Sequence, residues 1–161
     1  MLAEALALEL ATVWVPEYGR WYWEGRRHLG YQHWDTDEFH RIAMAQRQLE
    51  NNLARLTVNG VVIADTDGLV TNVWQERYLE RVTPSFITPK PDLYLICSPD
   101  FPWKQDGTRE SEQERQWMHE RMLELAKKSG VLVEVLSGPH DERLSHALEL
   151  IRPLTEFPPF V

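Results

Sequence analysis

Cysteine is nearly absent. Cys97 stands alone, so no intrachain disulfide can form and no cysteine-based metal site is available. No apolar run approaches the length of a membrane span. The leading residues are interrupted by Glu4 and Glu9 and lack a basic flank, so they read as an amphipathic helix rather than a signal peptide. Basic residues are too few for a nucleic-acid protein: 17 Lys and Arg stand against 25 Asp and Glu, a formal charge of −8. Neutralising phosphates needs a basic face. No Gly-x-Ser-x-Gly segment and no Cys–His arrangement occurs, so nucleophilic hydrolysis has no support. His28, His33 and His40 lack a metal-ligand spacing and read as surface residues. No repeat, low-complexity tract or linker marks a second domain. The expectation is a cytoplasmic protein with one domain over residues 1–152 and a tail over 153–161, with neither nucleic acid nor membrane as partner.

What is present suits a packed αβ domain. Hydrophobic residues make up 43% of 161 positions, enough for a sizeable core. Seven Trp and five Tyr occur, many beside charged residues in turn-like stretches: Trp14, Trp21, Tyr22, Trp23, Tyr31, Trp34 and Trp103. Core packing is the ordinary use of such rings; stacking on a flat ligand is the competing one.

The pattern predicts a helix over residues 2–10 and a short strand from Thr12 to Val15 that stops at Pro16. A polar, aromatic stretch follows, read as helix then loop. Thr36 or Asp37 is expected to cap the next helix, in which Phe39, Ile42, Ala43, Leu49, Leu53 and Leu56 make one apolar face. After the Asn59-Gly60 turn, "VVIAD" is an apolar run ending in a carboxylate, as a buried parallel strand requires. "DLYLICS" has the same character. A charged helix spans about Ser111 to Lys128, then come "VLVEVL" and a last helix from about Asp141 to Leu150. This alternation gives an α/β fold, a parallel sheet with helices on both faces.

In such sheets ligands sit beyond the carboxyl ends of the strands, so the residues following each strand are the candidates. The first strand delivers Glu17, Tyr18 and Arg20; the second delivers Asp65, Thr66 and Asp67. A hydrophobic strand ending in an acid is the pattern that places a carboxylate near Mg²⁺ in phosphoryl-transfer sites. Asp65 or Asp67 serving as a helix cap is the equal competitor. Beyond the third strand, Arg109 and Arg115 flank the start of a charged helix, where guanidinium groups could cover a phosphate. Composition alone favours a solvated face there, because Glu110, Glu112 and Glu114 surround them. Glu17 could accept a proton from a substrate hydroxyl or hold a ribose, or serve the helix dipole as a first-turn acid.

Together, "VPEYGR", "VVIADTDGLVT", "PWKQDGTR" and "SGPHDERLSHALELI" resemble the ribosylnicotinamide kinase domain of the NadR-like family, P-loop kinases of the AAA-type NTPase class. The ordered blocks cover nearly the whole chain. The resemblance implies ATP-dependent phosphorylation of nicotinamide riboside, in NAD salvage, with Mg²⁺ and ATP as cofactor and co-substrate. It implies Asp65 as the Mg²⁺ acid, Asp67 as the second acid of Asp-Thr-Asp, and Arg109 and Arg115 as lid arginines. It also implies Trp103 as a stacking surface for the substrate ring and Glu17, Tyr18 and Arg20 as the substrate-side block. Trp is the best face for a pyridinium cation. Where His140 stands, family members often carry an aromatic.

One departure is large. No Gly-x-x-x-x-Gly-Lys-[Ser/Thr] occurs in these residues, and that loop supplies the amides, lysine and hydroxyl that hold phosphate and metal. In the family it would lie just before "LAEALA", so the first, central strand is expected to be missing. The strands ending in Asp65 and Ser98 should then pair with each other or leave backbone unpaired. A truncated N-terminus is the expected explanation, and the chain as it stands is expected to be inactive. The alternative is a non-catalytic descendant that binds a nucleoside or a protein.

Overall fold

The computed structural model describes residues 1–31, 33–80, 90–102 and 111–155. Its elements, in chain order, are α1 (Leu2–Glu9), β1 (Val13–Val15), α2 (Tyr18–His28), α3 (Thr36–Ala54), β2 (Val62–Ala64), α4 (Gly68–Leu79), β3 (Leu93–Cys97), α5 (Glu112–Lys128), β4 (Leu132–Leu136) and α6 (His140–Thr155). They fall into two compact units, one of residues 1–6 and 90–161, the other of residues 7–89.

In the unit of residues 7–89, β1 and β2 run parallel with Val13 opposite Val62, Trp14 opposite Ile63 and Val15 opposite Ala64. The ladder continues past the strands, because Asp65 N donates to Val15 O at 2.9 Å. That bond fixes where the second strand's acid stands relative to the first strand's end. Helix α3 packs on both strands and on α2 and α4. Its buried face is Phe39, Ile42, Ala43 and Gln46, a three-to-four spacing on one stripe. Leu56, expected on that stripe, is instead exposed, because the helix ends at Ala54. The cap also differs from expectation: Asp35, not Thr36 or Asp37, is the N-cap. Its carboxylate accepts from Glu38 N at 2.8 Å, while Glu38 Oε2 accepts from Asp35 N at 3.1 Å. This reciprocal pair satisfies two amides that helix geometry leaves unpaired.

In the other unit, β3 and β4 are parallel from Leu93 opposite Leu132 to Cys97 opposite Leu136, and Ser98 N extends the ladder to Leu136 O at 2.8 Å. Helix α5 packs on both strands and α6 on β4. Buried Met118, Ala126, Ala147, Leu148 and Ile151 come from these two helices. The turn before α6 needs Gly138: its φ is +86°, and a Cβ there would lie 2.6 Å from Glu142 Oε2. Helix α6 runs through Pro153 to Thr155, beyond the expected stop near Leu150. Proline's φ suits a helix, and here it falls in the last turn.

The parallel α/β class expected from the alternation is the one observed. Among the described residues the strands form two two-stranded sheets, with β1 as the sole strand partner of β2 and β4 that of β3.

Candidate functional site

The carboxyl ends of β1 and β2 lie side by side, so the turns after them share one edge. Glu17 is the N-cap residue of α2, yet its side chain makes no capping bond. Its carboxylate lies 3.7 Å from Arg20 Nε instead. The amide at the start of α2 is served from another helix: Tyr18 N donates to Gln46 Oε1 at 2.8 Å. The same carboxamide donates through Nε2 to Thr66 O at 3.0 Å. Gln46 is 2% exposed. One buried side chain therefore ties the Glu17 turn to the turn that carries Asp65 and Asp67.

Asp67 caps α4, its Oδ1 accepting from Leu69 N at 2.8 Å. Asp65 is exposed, and its carboxylate has no hydrogen bond or ion pair among the described residues. The packed strand end still removes part of the water around it, which raises its pKa above the ordinary carboxylate value; the Arg20 guanidinium opposes the rise. A raised carboxyl binds more protons folded than unfolded, so stability falls as pH rises from the ordinary pKa through the raised one. Asp65→Asn is therefore expected to raise the unfolding midpoint at pH 7 by about 1–2 °C, kept small by the carboxyl's remaining contact with water. The difference should vanish below about pH 4. Thermal melts of both proteins across that range check it, and a loss of stability at pH 7 would contradict the placement of Asp65.

Glu50, one turn beyond Gln46, was not singled out by its sequence pattern. Burial raises its pKa; Arg47, with Nη1 2.8 Å from Glu50 Oε2, lowers it, and Asp67 adds a smaller rise. This edge thus carries an excess of carboxylate over guanidinium groups.

The rings beside this edge mostly stack on each other. Tyr18 lies 6.4 Å from Tyr22, Tyr22 6.3 Å from Trp34, Trp34 4.9 Å from Phe39 and 5.2 Å from Tyr78. The Arg26 guanidinium sits 3.9 Å over the Trp34 ring. Packing accounts for Trp34, while Trp21 remains exposed.

In the other unit Arg115 is mostly buried. It donates from Nη1 to Phe101 O at 2.9 Å and from Nη2 to Pro99 O at 3.2 Å, and pairs with Glu112 at 3.5 Å. It anchors the segment leaving β3. Arg143 does the same from α6, donating to Gly138 O at 2.7 Å, to Ser98 O at 3.0 Å and to the Asp100 carboxylate. Trp103 and Arg109 lie outside the described residues. Of the candidates from the sequence, Glu17, Tyr18, Arg20, Asp65 and Asp67 share one edge; Gln46, which joins their turns, escaped notice. The only signal was its place on the α3 stripe, at i+3 from Ala43 and i+4 from Ile42.

A family comparison covers most of the chain: the AAA domain family matches residues 1–143. The chain belongs to that family. No curated protein matches it. This AAA domain is P-loop NTPase-like, and the match spans both units and every candidate residue named above. Among the described residues of the AAA domain, no group of three or more His, Cys, Asp or Glu converges as a metal cage. A Mg²⁺ ion held mainly by phosphate and water needs only one or two carboxylates, and Asp65, exposed and without a described partner, fits that role. The phosphates of a nucleotide do not fit these residues by themselves, since no phosphate-loop motif occurs among them. No helix among the described residues is long and apolar enough to cross a membrane.

Proposed function

We propose that this AAA domain carries the acceptor side of a NadR-like ribosylnicotinamide kinase, with nicotinamide riboside as the acceptor. The observation that carries the reading is the joining of two strand-end turns by Gln46, which sets Glu17 and Arg20 beside Asp65 at one acidic edge. The pyridinium of the riboside is a cation, and a carboxylate-rich edge attracts it while a neutral nucleoside gains nothing. Tyr18 offers a ring at the same edge, and the resemblance adds Trp103 as a second.

In the transfer, the ribose hydroxyl oxygen forms a bond to the γ-phosphorus as the bond to the bridging oxygen of ADP breaks. Glu17 takes the hydroxyl proton, and Arg20, with Nε 3.7 Å from Glu17 Oε2, aims that carboxylate. Arg109, by resemblance, neutralises charge on the transferred group. Mg²⁺, when bound, supplies further neutralisation of the phosphates, and Asp65 would hold it through water. The step needs a phosphate-binding loop that these 161 residues do not carry.

Calorimetry on the 161-residue chain tests the proposal. Nicotinamide riboside should bind, uridine should bind at least about tenfold more weakly, and ATP with magnesium should give no signal. Equal affinity for both nucleosides would remove the charge argument, and micromolar ATP binding would overturn the assignment of phosphate binding to other residues.

A further inference from the structure

The N-terminus of α2 is capped in an unusual division of labour. A residue in the N-cap position ordinarily lends its own side chain to the first free amides of its helix. Glu17 does not, and Gln46 of α3, 28 positions away, accepts from the first of them. Glu17 is thereby left to its contact with Arg20. At its other end the carboxamide holds the carbonyl of Thr66, the residue between the two acids of the β2–α4 turn. We propose that Gln46 is a positioning residue that makes these two turns move as one, setting the spacing between Glu17 and Asp65. Its relevance to an acceptor site rests on the function proposed above.

The chemistry admits few substitutes. The position needs an acceptor toward the Tyr18 amide and a donor group toward the Thr66 carbonyl, a donor group that also serves the Glu50 carboxylate, all on a planar group three bonds from the backbone. An amide N–H faces Oε1 and a carbonyl faces Nε2. Glutamate retains the acceptor and loses the donor, setting a carboxylate against the Thr66 carbonyl. Methionine matches the volume and offers neither. Because Gln46 is buried, water cannot replace the lost partners.

Nuclear magnetic resonance on the full chain separates these cases. In Gln46→Met the Tyr18 amide should exchange with solvent at least about tenfold faster than in the wild type. The Thr66 carbonyl carbon should shift upfield. In Gln46→Glu the Tyr18 amide should stay protected while the Thr66 carbonyl still shifts. A residue that only fills space predicts the reverse order, with the buried charge of Gln46→Glu the more disruptive change. Should Gln46→Met fail to fold, Gln46→Glu still decides, since the proposal requires protection at Tyr18 and loss at Thr66 in the same protein. Unchanged Tyr18 exchange and an unchanged Thr66 shift in the variants would overturn the coupling. Riboside affinity forms a separate arm: Gln46→Met should weaken it about tenfold. A wild type that binds no riboside would sink the acceptor-site reading and leave the resonance result to judge Gln46.

Discussion

Arg26→Ala should destabilise the unit of residues 7–89 by about 3–5 kcal/mol, the largest effect expected of any single change in it. Arg26 and Glu38 form a pair with Nε 2.7 Å from Oε1, their side chains 8% and 12% exposed. The guanidinium also donates to the carbonyls of Tyr31, at 3.3 Å, and His33, closing the connection between α2 and α3. Its face covers Trp34, the centre of the aromatic stack. Truncation leaves a buried carboxylate without its cation, two carbonyls without a donor and a ring without its cover. Chemical denaturation should show the loss, and thermal melts a fall in the unfolding midpoint on the order of 10 °C. The double variant Arg26→Ala/Glu38→Gln should recover part of it, because a neutral amide is less costly to bury than an unpaired charge. A loss under about 1 kcal/mol would mean the pair is solvated and worth no more than a surface bridge.

Arg143→Ala should be the corresponding lesion in the other unit. Arg143 joins three segments: the end of β3 through Ser98 O, the segment after it through Asp100, and the turn before α6 through Gly138 O. Removing it orphans two carbonyls at about 1–3 kcal/mol each, so about 2–6 kcal/mol in all. The change should also alter the acid response. Asp100 is held below the usual carboxylate range chiefly by the Gly138 amide, which donates to Oδ2 at 2.7 Å, and further by Arg143. A depressed carboxylate stabilises the fold above its unfolded pKa, and that contribution is lost as pH falls through the folded one. Without Arg143 the folded pKa rises and the window narrows, so acid unfolding should begin at higher pH. Melts between pH 2 and pH 6 read both effects; an unchanged acid limb would assign Asp100 to the Gly138 amide alone.

The parallel strands were legible because apolar runs ending in polar turns can hardly pack any other way. The placement of Glu17 and Asp65 at strand ends followed from the same runs. The helix caps were half legible: Ser111 and Asp67 take the positions that short polar side chains before helices usually take. Asp35 was missed in favour of its neighbours, since several capping residues in a row cannot be ranked without knowing where the chain turns. The aromatic residues were the least legible. Trp34 beside charged residues resembles a ligand platform in sequence, and only the approach of Phe39, Tyr78 and Arg26 gives it a packing role.

By itself the sequence determined the α/β class, the order of elements and the acids that close β1 and β2, because these follow from periodicity and from local backbone preference. Tertiary structure alone decided that the four described strands form two separate pairs, that Arg115 and Arg143 anchor the segment leaving β3, and that Gln46 joins the two acidic turns. The physical reason is the same in each case. A buried polar group takes whichever partner the fold brings within about 3 Å, and partners 16, 45 and 20 residues away leave no local mark on the chain.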